Sequence, residues 1–185
     1  PRTTTRAETH PRILLRRQDI SAVTRGEFRP EERKHAFDRP RFRREFDLKA
    51  GDVLMCRTNG TLGLVGMSAL VENDMPDLIY PDKVIRVRVR DNLLPAYFWR
   101  VVQAPFVRSQ IEYAARTAVG NYAIGSDDIL NLEFPLPPLD VQRRMTARVE
   151  ATRAEIAALR TAAAERERQA KAEVEAMILG EKPVK

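Results

Sequence analysis

Between Val141 and Gly180 the chain contains no proline and no glycine, and Ala, Glu, Arg and Gln dominate. These are strong helix formers, so the stretch predicts one helix of roughly 60 Å. A rod of that length cannot pack wholly on a head built from residues 1–138. Its run-in is Phe134–Gln142, FPLPPLDVQ. Pro135, Pro137 and Pro138 hold the backbone extended, because proline fixes φ and disfavours the α region in the residue before it. Asp140 then stands where an N-cap carboxylate would accept from the first-turn N–H groups.

Along the rod, Met145, Val149, Thr152, Ile156, Leu159, Ala163 and Ala170 recur at alternating four- and three-residue steps, with Arg166 interrupting. That is a coiled-coil-like seam. An isolated helix gains most of its stability by burying a face, so the seam predicts a partner helix, from a second copy or from another protein.

The head reads as a mixed, turn-rich domain. Arg12–Ile20 predicts a short strand, and Ser21–Glu45 a charged loop with one helical turn at most. Gly51–Arg57 (GDVLMCR) predicts a buried strand. Thr58–Thr61 (TNGT) predicts a tight hairpin turn, and Leu62–Val71 the returning strand. In Val84–Arg90, Ile85, Val87 and Val89 alternate with Arg86, Arg88 and Arg90, the period of a half-buried strand. Leu94–Ala118 shifts to helical spacing, with Pro105 separating two short helices. Gly120–Gly125 predicts a loop, Ser126–Leu132 a turn of helix capped by Ser126, and Leu132–Leu136 a last short strand. The fold class is therefore α+β: a mixed or antiparallel sheet with short helices, followed by one long C-terminal coiled-coil-type helix.

Charge narrows the partners. The chain carries a net +6, and residues 1–45 alone hold 13 Arg/Lys against 7 Asp/Glu. Arg outnumbers Lys 26 to 6. Two readings of this bias stand equally: a polyanion partner, most simply nucleic acid, or a GC-rich genome that raises Arg and Ala everywhere. No apolar run reaches the length of a membrane span. One cysteine, Cys56, permits no intrachain disulfide and fits a reducing, cytoplasmic setting. No catalytic constellation is visible. His10 and His35 lie in polar stretches, Gly60, Gly63 and Gly66 do not form a strand-to-helix phosphate loop, and no nuclease or N-methyltransferase motif occurs. Cys56 reads as a small core residue. The remaining features suit binding: Arg57–Thr61, the Arg86–Arg90 stripe and Arg116–Tyr122 (RTAVGNY). Arg and Asn make bidentate contacts to guanine and adenine, yet a plain hairpin turn, a solvated sheet face and an ordinary loop account for the same residues.

Taken together and in order, three stretches resemble the specificity subunits of type I restriction–modification systems. Leu48–Gly66 (LKAGDVLMCRTNGTLGLVG) is similar to the family's glycine–aspartate hairpin. Ala115–Phe134 is similar to the segment that follows in the family, with Asn121–Ile124 loosely matching a Gln-x-x-Ile pattern. Pro135–Gln142 is similar to its PLPPLxEQ run, with Val141 in place of Glu. The resemblance covers roughly Arg12 to Gly180. It implies a DNA target-recognition domain over 1–138, a conserved spacer or dimerisation helix over 139–180, and a tail over 181–185. It implies no catalysis by this chain itself. S-adenosylmethionine is expected on a partner DNA adenine methyltransferase, a subunit or a fused domain, and no cofactor in this chain. Double-stranded DNA is the implied ligand, contacted by Arg57, Thr58, Asn59, Thr61, Arg116, Thr117, Asn121 and Tyr122. Arg29, Arg33, Lys34 and Arg43 are expected to track phosphates. Met145, Val149, Ile156 and Leu159 form the implied partner seam. Family members carry two such domains, so the resemblance implies either dimerisation through the helix or the C-terminal part of a longer or fused chain. Pro1 and the lack of the family's opening segment point to the second.

Overall fold

The computed structural model describes residues 15–18, 33–36, 47–75, 78–118, 120–181 and 183. In chain order the strands are β1 (Leu15–Gln18), β2 (Arg33–Ala36), β3 (Val53–Cys56), β4 (Thr58–Asn59), β5 (Ser68–Leu70), β6 (Leu78–Ile79), β7 (Val84–Val87), β8 (Arg116–Ala118) and β9 (Asn121–Ala123). The helices are α1 (Pro95–Val101), α2 (Pro105–Ala114), α3 (Ser126–Leu130) and α4 (Leu139–Ile178). Three three-stranded sheets form, in the orders β2-β1-β6, β5-β3-β7 and β4-β9-β8. The first is mixed, with β1 antiparallel to β2 and parallel to β6. The other two are antiparallel. Contacts divide the chain into two compact units, Pro1–Gln142 and Arg143–Lys185.

β3 organises the first unit. All four of its residues are buried, because both faces of its sheet are covered, the situation that turns an alternating strand into a continuous apolar run. Val53 and Met55 face a cluster with Phe98 of α1, Val102 at its C-cap, and Val107 and Ile111 of α2. Leu54 faces a second cluster with Leu48, Ala69, Val71, Leu78 and Val84. The two predicted short helices form as expected, each with proline in its first turn, where its missing N–H costs nothing. Trp99 of α1 ties the helix to β5 by donating from its indole N–H to the Ser68 carbonyl at 3.1 Å.

The glycine–aspartate pair before β3 is a structural lock. Gly51 has φ +88° and donates to the Val71 carbonyl at 2.8 Å. Asp52 is 1% exposed, and its carboxylate accepts from the Lys49 N–H at 2.9 Å and from Arg88 Nη2 at 3.0 Å. Arg86 donates to the Asp47 carbonyl at 2.8 Å and lies over the Tyr80 ring. Of the alternating arginines, Arg86 and Arg88 are thus spent on the fold.

Several sequence expectations are corrected. The charged stretch after Ile20 contains a strand, β2, rather than only loop and a helical turn. TNGT is not a two-residue hairpin turn. Gly60 lacks a positive φ, and the chain leaves β3 for β4 and a 3-10 turn (Leu62–Leu64) before β5 begins at Ser68. The returning strand is accordingly only Ser68–Leu70. Residues 120–125 are not a plain loop, since β9 lies within them. Gly125, not Ser126, caps α3, with Asp128 Oδ2 accepting from the Gly125 N–H at 2.7 Å. The segment 132–136 forms no strand. The side-chain amide of Gln110 replaces one, donating to the Glu133 carbonyl and accepting from its N–H, both at 2.8 Å.

The run-in to α4 is fixed from within the first unit. The Tyr97 hydroxyl donates to the Pro135 carbonyl at 2.9 Å, and Phe134 packs on Phe98 with ring centroids 6.0 Å apart. Asp140 is not the N-cap: α4 starts at Leu139, and the Pro138 carbonyl accepts from Val141 and Gln142. The proline supplies the turn geometry, so Asp140 falls inside the first turn, where its charge still suits the helix dipole. Gln142 is fully buried. Its Oε1 accepts from the Leu94 N–H at 2.8 Å, and its Nε2 donates to the carbonyls of Asn92 at 3.0 Å and Pro137 at 2.8 Å.

α4 ends with a Schellman motif. Gly180 has φ +77°, its N–H donates to the Met177 carbonyl, and the Glu181 N–H donates to that of Ala176. In the second unit the seam residues Met145, Val149, Ile156 and Leu159 are all exposed, as are Val174 and Ile178. At 3.6 residues per turn these six stay on one side of the helix. Local side-chain pairs run along it, Arg168 with Glu165 and Lys171 with Glu167.

Candidate nucleic-acid interface

The two polar stretches singled out in the sequence meet in one sheet. β9 pairs with β4 in the register Thr58↔Ala123 and Asn59↔Tyr122. It pairs with β8 in the register Arg116↔Ala123, Thr117↔Tyr122 and Ala118↔Asn121. The β8–β9 hairpin turns through Gly120, φ +77°, a conformation glycine adopts without strain. Arg57 is fixed through its backbone: its N–H donates to the Lys83 carbonyl at 2.8 Å, and its carbonyl accepts from Ile124 at 3.0 Å. Gly60 lies beside Asn121, whose Oδ1 would be 3.7 Å from a Cβ added there.

Directly opposed residues share a sheet face and successive residues alternate, which splits the candidates. Thr58, Arg116 and Asn121 lie on one face, and Arg116 and Asn121 are exposed. Asn59, Thr117 and Tyr122 lie on the other. There Tyr122 is half-buried and packs against the apolar cluster of α1 and α2, and Asn59 Oδ1 accepts from the Thr61 N–H at 3.0 Å. Arg57 and Thr61 are exposed at the ends of β4. Of the phosphate-tracking candidates, Arg33 and Lys34 are placed on β2, while Arg29 and Arg43 lie outside the described residues.

Sequence reasoning missed what holds this sheet in place. Arg108 on α2 is largely buried and donates to the carbonyls of Val65 at 2.8 Å and Gly63 at 3.1 Å, with Glu112 as its ion-pair partner. It pins the loop after β4. Gly66 closes that loop with φ +74°, and a Cβ there would come within 2.5 Å of Ile111 Cγ2. The Arg108–Glu112 spacing of four on a helix was the available signal. Cys56 is buried at the end of β3, its thiol donating to the Thr58 carbonyl at 3.5 Å. Burial, the leading cause, pushes its thiol up to about 11, which makes it inert at neutral pH. Among the described residues, no group of three His, Cys, Asp or Glu is placed to hold a metal ion. None of the described helices is long and apolar enough to cross a membrane.

This architecture is similar to part of the HsdS subunits, and the chain spans less than half the length of each relative and structure it matches. The crystal structure of the HsdS subunit from Thermoanaerobacter tengcongensis superposes with a TM-score of 0.65 at 25% identity, over 87% of this chain and 41% of that one. A structure described as the basis of complex assembly and conformational transition of the type I R-M system superposes at 0.62 over 96% of this chain and 40% of that one; at 20% identity it speaks to fold alone. Among curated proteins, the chain is 35% identical over 104 residues to the type I restriction enzyme EcoKI specificity subunit of Escherichia coli (strain K12). The match spans 56% of this chain and 22% of that protein. No protein-family model matches the chain. The resemblance read from three sequence stretches is thus shared by a curated relative and by solved structures.

Proposed function

We propose that this chain is the sequence-specific DNA-recognition part of a restriction–modification complex, reading half of a bipartite site. The observation that carries this reading is the β4-β9-β8 sheet, which brings Thr58, Arg116 and Asn121 from two distant stretches onto one face, with Arg57 and Thr61 exposed at the ends of β4. Arg116 and Asn121 carry the side chains that discriminate guanine and adenine edges. On the opposite face Tyr122 holds the sheet to the head, and the exposed Thr117, with Asn59 beside it, adds polar contacts at the edge of the DNA. Arg29, Arg33, Lys34 and Arg43 add phosphate contacts that raise affinity without reading sequence. The chain performs no reaction. A DNA adenine methyltransferase, a separate subunit or a fused domain, binds S-adenosylmethionine and docks along the exposed α4 stripe of Met145, Val149, Ile156 and Leu159. That stripe also suits a second copy or a second recognition domain.

Selection of bound sequences from a random duplex library, using the assembled complex, tests the proposal. The expected result is a two-part consensus preferred over random DNA by about 10³-fold or more. Asn121→Ala is expected to relax one position of one half, at about 1–3 kcal/mol. An unselective pool would favour a second reading, a coiled-coil assembly subunit with only non-specific DNA binding, for which the unpartnered α4 stripe is the supporting observation.

A further inference from the structure

One face of the head has the opposite character to its DNA-reading sheet. Four large apolar side chains stand in solvent: Phe106 (52% exposed) and Tyr113 (93%) on α2, Leu130 (80%) on α3, and Leu136 (49%) after it. They form one region because Phe106, Gln110 and Tyr113 share a helix face, and Gln110 is bonded in both directions to Glu133, midway between the two leucines. The charge here is inverted as well. From Thr117 to Gln142 there are four carboxylates and no Lys or Arg, in a chain with 32 Lys and Arg. Arg108, the cation of α2, is turned to Gly63, Val65 and Glu112. Asp127 and Glu133 are exposed within the region.

We propose that this aromatic, acid-rimmed face is a protein-docking surface for a partner presenting an apolar pocket edged by Lys and Arg. Carboxylates repel phosphates, so DNA does not fit here. Exposed aromatic side chains together with leucines are the composition of an interface hot spot and its surround. On the function proposed above, on which this inference rests, the occupant is the methyltransferase partner, held at the head independently of α4.

The test titrates the purified methyltransferase into the full chain and measures the chain's DNA affinity alongside. Tyr113→Ala with Leu130→Ala is expected to weaken methyltransferase binding by about tenfold or more and leave DNA affinity unchanged; both residues are too exposed to support the fold. Asp127→Lys with Glu133→Lys is expected to weaken binding further and to flatten its salt dependence. Unchanged binding in both variants, with loss in Leu159→Asp, would overturn this inference and leave the docking along α4 standing. Failure of the wild-type chain to bind the methyltransferase at all would overturn both. A parallel fall in DNA affinity in the alanine variant would assign the face to DNA and also overturn the inference.

Discussion

The first unit and the second use hydrogen bonds in opposite ways. In the first, side chains reach across sequence to distant backbone groups: Gln142 to Asn92 and Leu94, Arg108 to Gly63 and Val65, Tyr97 to Pro135. In the second, the bonds of Arg168, Gln169 and Lys171 to Glu165 and Glu167 span three or four residues of one helix, and the apolar residues of the stripe stay exposed. The first unit specifies its own shape. The second specifies a direction and a stripe of exposed apolar side chains, the face whose burial stabilises a long helix. A recognition surface needs the former, because base discrimination depends on side chains held in fixed positions.

The sharpest way to break this contrast is Gly66→Ala. The substitution places a Cβ against Ile111 at a positive φ, so left-handed strain and overpacking add to about 2–5 kcal/mol. Denaturant unfolding followed by Trp99 fluorescence measures it. A loss under 1 kcal/mol would show that the loop after β4 is loosely held. Gln142→Ala comes next. It strips three backbone groups of their partner, two of them far away in sequence, at about 2–4 kcal/mol. If the same assay shows no change, the run-in to α4 is not fixed by the head.

A pH titration sharpens the picture of the buried strand. Folding holds the Cys56 thiol neutral up to about 11 against an ordinary 9.0. The unfolded chain releases that proton first, so stability is full below about pH 9 and falls as pH rises through about 11. The Tyr97 hydroxyl, also raised by burial, adds to the fall from somewhat higher pH. Cys56→Ala is expected to remove the earlier part of the decline and Tyr97→Phe the later part. An unchanged alkaline limb in Cys56→Ala would mean that the β3 interior is wet.

The sequence made some of this legible and hid the rest for identifiable reasons. The long helix, the two proline-headed helices and the buried β3 follow from local chemistry, the absence of breakers and a continuous apolar run, and were readable. The β4-β9-β8 sheet was not: two- and three-residue strands carry almost no periodicity, and β4 and β9 join residues about 60 positions apart. Asn59-Gly60 looked like a hairpin signal because that pair supplies positive φ where a turn requires it; here Gly66 supplies it, for the close approach of Ile111. The candidate DNA contacts could be named as stretches but not sorted by sheet face, since that depends on register. Arg88 shows the same limit. Its alternation with valines was visible, whereas its buried partner Asp52 lies 36 residues away.

The smallest expected effect probes the rod. Leu159 is 64% exposed on an unpartnered stripe, so Leu159→Asp removes almost no burial within this chain. Dilute protein followed by circular dichroism and by Trp99 fluorescence is expected to unfold within about 0.5 kcal/mol of the wild type, as surface substitutions do. Light scattering across a concentration series then separates the possible occupants of the stripe. If the wild type dimerises and Leu159→Asp does not, the partner is a second copy, and a symmetric two-part DNA site follows from the symmetry of the dimer. If both remain monomeric and only methyltransferase binding is lost, the stripe belongs to the catalytic partner. A large loss of stability in the dilute monomer would break the contrast itself, because Leu159 would then be buried by its own chain.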